Sequence, residues 1–365
     1  MYHNDVSVTF DPDAPAAGNG IYGLPHTPEE ARVVVVPVPW DATTSYRAGA
    51  AAGPEAIIAA SRQVDLYDSE TGRPYQAGIA VLESDGTIER WNAAARASAE
   101  PIIAVGGQIG DDAFLRAALD EVNQLGARVN DWVHGHTQRL LAAGKLVAVI
   151  GGDHSVPFGA IQAVAERHPG VGVLHLDAHA DLRAAYEGFT WSHASIMHNV
   201  VTRLPQVGRL VQVGIRDLGT AEAEMIRVSE GRIVTFFEPE LAARRFEGET
   251  WGAQAARIVA ALPAEVYLSW DIDGLDPAYC PHTGTPVPGG LSFAQATYLL
   301  RALGESGRRI VGLDLNEVAP GPDGDEWDGN VGARLLYKMI GWALRTDPST
   351  VDRRPSTAGS DSRPE

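Results

Sequence analysis

The chain is expected to be an α/β protein: one large three-layer domain around a central, mostly parallel sheet. Apolar, β-branched runs recur at Arg32 to Val38, Leu146 to Ile150, Val171 to Leu176, Leu210 to Ile215, Arg232 to Phe237, Val266 to Trp270 and Arg309 to Leu315. Near-continuous Val, Ile and Leu marks strands buried on both faces. Most runs end in a loop followed by a helix-like stretch, and strands alternating with helices argue for a parallel sheet covered on both sides. Composition does not break between residues 31 and 345, which argues for one domain rather than two.

Residues 1–30 read as an N-terminal extension. From 10 to 30 it is Pro- and Gly-rich but keeps Ile21, Tyr22 and Leu24, which are expected to pack on the domain or on a neighbouring subunit. Gly18, Gly20 and Gly23 have a GxGxxG spacing. No strand precedes them and no helix opens there, and the dinucleotide fingerprint needs both. Gly53 and Pro54 open a helix through Ile57, Ile58 and Ala60, with Pro54 suited to its first turn. Asp111 to Ala143 reads as a helix broken near Gly126 and stopped at Gly144. Residues 346–365 hold one large apolar residue, Val351, too little to offset the entropy of ordering, so this tail is expected to be disordered.

Composition narrows the function. The 365 residues carry 29 Lys plus Arg against 47 Asp plus Glu, a net charge of −18 with no basic run. That repels phosphate backbones, argues against nucleic acid and anionic membrane as partners, and suits a cationic ligand. Cys280 is the sole cysteine, which excludes an intramolecular disulfide and a thiolate zinc site. Any metal must be held by His and carboxylates. No apolar stretch approaches the roughly 20 residues that span a bilayer. The start lacks a basic segment followed by an apolar one, so a cytoplasmic location is expected.

Three clusters directly follow expected strands: Gly151 to Ser155 (GGDHS), His175 to Asp181 (HLDAHAD) and Ser269 to Gly274 (SWDIDG). In an open parallel sheet the ligand crevice lies outside the carboxyl ends of the strands, where all three would converge. In extended backbone, Asp177, His179 and Asp181 point one way, and Asp271 and Asp273 point together. Four carboxylates in one crevice oppose their own ionisation through desolvation and repulsion, and divalent cations remove that cost. Oxygen and imidazole ligands without thiolate favour Mn²⁺ over structural Zn²⁺, and there are enough of them for two ions, so a binuclear hydrolytic site is expected. The third cluster lacks the Glu of an EF-hand loop. His134 and His136 are two apart in a helical stretch and read as ordinary helix residues. His175 lies deeper in its strand and reads as a core histidine.

The order GGDHS, HLDAHADLR, SWDIDGLDP, TGTPVPGGLS and DLNEVAP closely resembles the ureohydrolase family of arginases and agmatinases, from about Val33 to Leu344. The resemblance implies an arginase-like fold and a binuclear manganese centre that hydrolyses a guanidino group to urea and an amine. Carried over by motif, the metal ligands are His154, Asp177, His179, Asp181, Asp271 and Asp273. The family's loop histidine falls on His193 in WSHAS, and its guanidinium-binding glutamate on Glu317 in DLNEVAP. A carboxylate such as Glu317 can hold two N–H groups of a planar guanidinium. Metal lowers the pKa of bound water towards about 7, with Asp181 among the groups around the reacting atoms, and His193 is placed to shuttle a proton to the departing amine.

Substrate choice is expected to lie in Leu182 to Ser192 and Tyr279 to Gly290. The segments DATTSYRAGAAAGPEAI and DLRAAYEGFTWSHASIM look most like agmatinases of the archaeal type. The first of those loops offers Glu187 and Tyr186 but no Asn or Lys, which leans towards a cationic or uncharged far end such as that of agmatine. Ala194, His198 and Asn199 depart from the usual agmatinase pattern, and guanidinobutyrate, arginine, free guanidine and formiminoglutamate stand as alternatives. A one-zinc deacetylase of similar architecture would not need the doubled carboxylates. A catalytically silent homologue would show a lost ligand, and none of the six is missing. The resemblance also implies a homo-oligomer, trimer or hexamer.

Overall fold

The strands that the apolar runs anticipate all form, and they lie in a single all-parallel sheet. The computed structural model describes residues 10–16 and 18–348. Its strands are β1 (Val33–Val38), β2 (Ile79–Val81), β3 (Leu146–Gly151), β4 (Gly172–Leu176), β5 (Arg209–Ile215), β6 (Ile233–Phe237), β7 (Glu265–Asp271) and β8 (Arg309–Asn316), in the spatial order β2-β1-β3-β8-β7-β4-β5-β6. The one strand not anticipated, β2, has only three residues, too few to show a pattern.

Both faces are covered. Along β3, Leu146, Ala148 and Ile150 enter one core, and Val147 and Val149 enter the other. Helices α1 (Gly53–Ser61), α8 (Trp251–Ala260), α9 (Phe293–Glu305) and α10 (Trp327–Thr346) pack in series on the first face. Helices α2 (Thr87–Ile103), α3 (Ala113–Ala142), α4 (Phe158–Arg167) and α5 (Ile196–Arg203) cover the second. Helices α6 (Thr220–Val228) and α7 (Glu238–Phe246) flank the β6 edge.

One expectation about the helices fails. α3 runs unbroken through Gly126 for 30 residues. The glycine serves packing: a Cβ there would stand 2.8 Å from the Cβ of Trp191, so the missing side chain admits the indole rather than ending the helix. Ile21, Tyr22 and Leu24 are buried in the first core, where the Tyr22 hydroxyl donates to Ala333 O at 3.0 Å and its ring lies 4.7 Å from that of Tyr337. Of the tail expected to be disordered, residues 349–365 lie outside the described residues, while Thr346 closes α10 and accepts a hydrogen bond from Ile310 N–H. Among the described residues no helix is long and apolar enough to cross a membrane.

The register of the four central strands positions the site. Ile150 pairs with Leu315, Leu315 with Trp270, and Trp270 with Leu176. The segments that follow these residues therefore leave the sheet at one level, on the carboxyl edge where crevices form in such sheets.

Candidate metal centre

Each candidate side chain is delivered by a short segment at that edge. After β3, Gly152 passes so close to Trp40 that a Cβ would sit 1.8 Å from its carbonyl oxygen, and His154 follows. Asp177 stands immediately after β4. The alternation expected of extended chain does not continue to Asp181: β4 stops at Leu176, and Asp181 has φ 55°. A left-handed backbone costs a non-glycine residue about 1–2 kcal/mol. This turn, rather than strand parity, brings the Asp181 carboxylate back to its neighbours. Likewise Asp271 ends β7, while Asp273 sits in the 3-10 turn Ile272–Gly274 with its N–H donating to Asp271 Oδ1 at 2.8 Å.

All six side chains meet. His154 Nδ1 lies 3.1 Å from Asp177 Oδ2, 3.4 Å from Asp271 Oδ2 and 3.6 Å from Asp181 Oδ2. His179 Nδ1 lies 3.1 Å from Asp273 Oδ2 and 3.4 Å from Asp177 Oδ1. Asp177 thus presents one oxygen to an inner group and the other to an outer group. One ligating atom each of His154, His175, Asp177 and Asp181 lies within 4.8 Å of the others, and the same holds for Asp177, His179 and Asp273. With neutral imidazoles the six side chains carry four negative charges, which two dications balance. Two nitrogens and four carboxylates without sulfur suit borderline-to-hard divalent ions.

His175 is fully buried, as expected of a core residue, yet it also orients the site. Gln212 Nε2 donates to its Nδ1 at 3.1 Å, which leaves the Nε2 proton for Asp177 Oδ2 at 2.8 Å. A comparable chain lies behind His154. Ser269 Oγ donates to Asp314 Oδ1 at 3.0 Å, so it accepts from His154 Nε2 at 2.9 Å. That fixes the proton on Nε2 and turns the Nδ1 lone pair towards the carboxylates.

The electrostatics record the crowding of like charges. Burial and the neighbouring Asp177 hold Asp181 well above the usual carboxylate range, and burial with Asp273 and Asp177 does the same for Asp271. Burial alone would lower His154, but the hydrogen bonds its protonated ring donates to Asp177 and Asp271 hold it well above the usual imidazole value. His179 is raised in the same way by Asp273 and Asp177.

Two adjoining cavities open above the ligands. The larger, about 190 Å³, borders His179, Asp181 and His193 and extends past Arg183, Tyr186 and Asp217. The smaller borders His193 and Glu317 under Thr44 to Arg47. Glu317 is buried, with φ 63°, and its Oε1 accepts His154 N–H at 2.9 Å. Burial, Asp271 and Asp153 raise its pKa well above the usual range. His193 Nδ1 is sealed without a hydrogen-bond partner, and burial with nearby His179 pushes its pKa down to about 4. Tyr186 belongs to a loop singled out in the sequence. Arg183 lies in the same loop; Asp217 falls outside the loops singled out, although it follows β5 at the same edge, and that position is the available signal.

Residues 31–341 match the sequence profile of the arginase family. An N(1)-aminopropylagmatine ureohydrolase of Thermus thermophilus is 36% identical over 324 residues, covering 88% of this chain and 94% of that protein. A guanidinobutyrase of Pseudomonas aeruginosa is 31% identical over 329 residues, covering 87% and 89%. Among solved structures, the agmatine ureohydrolase of Thermoplasma volcanium superposes with a TM-score of 0.68 at 25% identity, covering 90% of this chain and 94% of that one. The chain belongs to the arginase family and is an amidinohydrolase of that family.

Proposed function

We propose that the chain is a binuclear manganese-dependent hydrolase of a guanidino compound with a cationic far end, agmatine or its N1-aminopropyl derivative, releasing urea and an amine. The observation that carries the reading is that one cleft holds six converging ligands, the Glu317 carboxylate and the His193 imidazole. His154, Asp177, Asp181 and Asp271 would hold one ion, and Asp177, His179 and Asp273 the other. When bound, the ions supply Lewis acidity and a lowered pKa for water.

The chain's own groups do the rest. Glu317 sits beside the smaller cavity, and a guanidinium there brings the positive charge that its crowded carboxylate lacks; two parallel N–H···O bonds would fix the plane of the substrate. With a pKa near 4, His193 enters the reaction neutral at pH 7. It can accept a proton from the attacking water on Nε2, the ring nitrogen that is not sealed, and pass it to the departing amine, which cannot leave as an anion. The larger cavity then receives the far end of the substrate, where Asp217 and the ring of Tyr46 offer an ammonium a charge partner and a π face. The most similar relative named above acts on a longer amine of this class.

Arg183, in the same cavity, favours a second reading in which the far end is a carboxylate, as in guanidinobutyrate. The test is urea release by the manganese-loaded protein from agmatine, N1-aminopropylagmatine, guanidinobutyrate, arginine and free guanidine. Preference for the first two supports the proposal, preference for guanidinobutyrate replaces it with the second reading, and no urea from any of the five rejects both.

A further inference from the structure

A second concavity lies apart from the cleft. A groove of about 820 Å³ runs between α1, the carboxyl ends of β1 and β2, and α2, walled by Pro37, Pro54, Ile58, Val81, Leu82 and Ala97. Four carboxylates, Glu55, Glu83, Glu89 and Glu100, border it against a single base, Arg96. Arg96 is already engaged, with Thr44 O and with Glu100 at 3.4 Å, and Glu89 accepts from Ser84. Among the described residues, the side chains of Glu55 and Glu83, both exposed, make no hydrogen bond or ion pair.

We infer that this groove is a second ligand site, for an aliphatic diamine or polyamine. Apolar walls suit a chain of methylenes, which gains from leaving water, and the unpaired carboxylates suit ammonium groups. Anions and plain hydrocarbons each fail one of these two conditions. The groove is also tied to the cleft. Asn92, in its wall, accepts from Asp41 N–H at 2.9 Å and donates to Asp41 Oδ1 at 3.2 Å, and Arg96 holds the carbonyl of Thr44. The segment thus anchored continues into Ser45, Tyr46 and Arg47 at the mouth of the cleft. Occupancy of the groove therefore bears on that mouth. The amine product of the proposed reaction belongs to the same ligand class; only this link, as product sensing, rests on the proposed function.

The probe is 1,4-diaminobutane added to the full-length, manganese-loaded protein, read by amide hydrogen exchange and calorimetry. Expected are slowed exchange over residues 81–97 and 41–47, at least tenfold weaker binding of n-butylamine at this site, and at least tenfold weaker diamine binding in the double variant Glu55→Gln, Glu83→Gln. Ala97→Trp, which fills the groove, should abolish the protection of 81–97 while leaving exchange around residues 175–181 unchanged. Protection confined to the cleft, or unchanged affinity in the double variant, overturns the inference. So does a change of oligomeric state in Ala97→Trp, which would make the groove an interface between copies. These readouts do not depend on turnover, so a chain that releases no urea leaves them standing.

Discussion

Around His154, Asp177 and Asp181, the inner ligand group, most polar atoms are buried and their orientation is fixed from behind. Ser269 and Asp314 set the tautomer of His154, and His175 with Gln212 holds Asp177. Around His179 and Asp273, the outer group, the imidazole is 26% exposed to the cavity; Asp273 accepts Ala178 N–H at 3.0 Å, but the support from a neighbouring side chain is one long contact of 3.4 Å from Thr285 Oγ1 to Asp273 Oδ2. The difference teaches that one site can combine a rigid half, whose geometry the core dictates, with an open half that borders the substrate cavity. Asp177 joins them.

The largest effect is expected at that junction. Asp177→Asn should abolish stoichiometric binding of both ions and lower activity by at least about a thousandfold, corresponding to the several kcal/mol that metal activation supplies. Elemental analysis checks the first, and retention of one full equivalent of metal would break the idea of a shared ligand. Next come the groups of the cleft that bind no metal. His193→Asn should lower kcat by about 10² to 10⁴, the range for lost proton transfer, at unchanged metal content. A lowered metal content would place His193 in the cage instead.

The inner and outer halves should differ in their dependence on support. Ser269→Ala is expected to weaken metal affinity by about 10- to 100-fold, as lost orienting partners do. Thr285→Ala, removing a contact too long to be strong, should change it less than about threefold. Equal effects of the two substitutions in chelator competition would erase the distinction.

The pH dependence follows from the raised imidazoles. In the metal-free protein the protonated forms of His154 and His179 are stabilised by carboxylates, fully below the ordinary imidazole value, and this contribution is lost only as pH rises through the raised values. Metal must displace those protons. Affinity should therefore already weaken on acidification above pH 6, the point expected of unperturbed imidazoles, and calorimetry in buffers of different ionisation enthalpy should show net proton release at neutral pH. Binding without proton release would contradict the pairing. The smallest effect is expected at the exposed rim: Asp217→Asn should raise the KM for agmatine by about threefold, the scale of a solvent-exposed ion pair, and leave that for guanidinobutyrate unchanged or lower.

Much of this was legible in the sequence, because strands buried on both faces must be apolar at nearly every position, and chemistry at a sheet edge must follow them directly. Val147 to Ile150 announces β3, and GGDHS announces what comes next. What the sequence concealed was contact between distant segments. Gly126 looks like a break because isolated glycine weakens a helix, and only the docked Trp191 shows why it is there. His175 looks like core because it is core; its bond to Asp177 depends on where Gln212 of the neighbouring strand lies. Residue types and their order determined the fold class and brought the six candidate ligands to notice. The tertiary structure alone decided how they meet, since Asp181 and Asp273 reach their neighbours through turns rather than strand alternation. It alone placed Asp217, Arg183 and the acid-rimmed groove, because exposed charges follow no periodicity and gain their meaning only from the cavity they face.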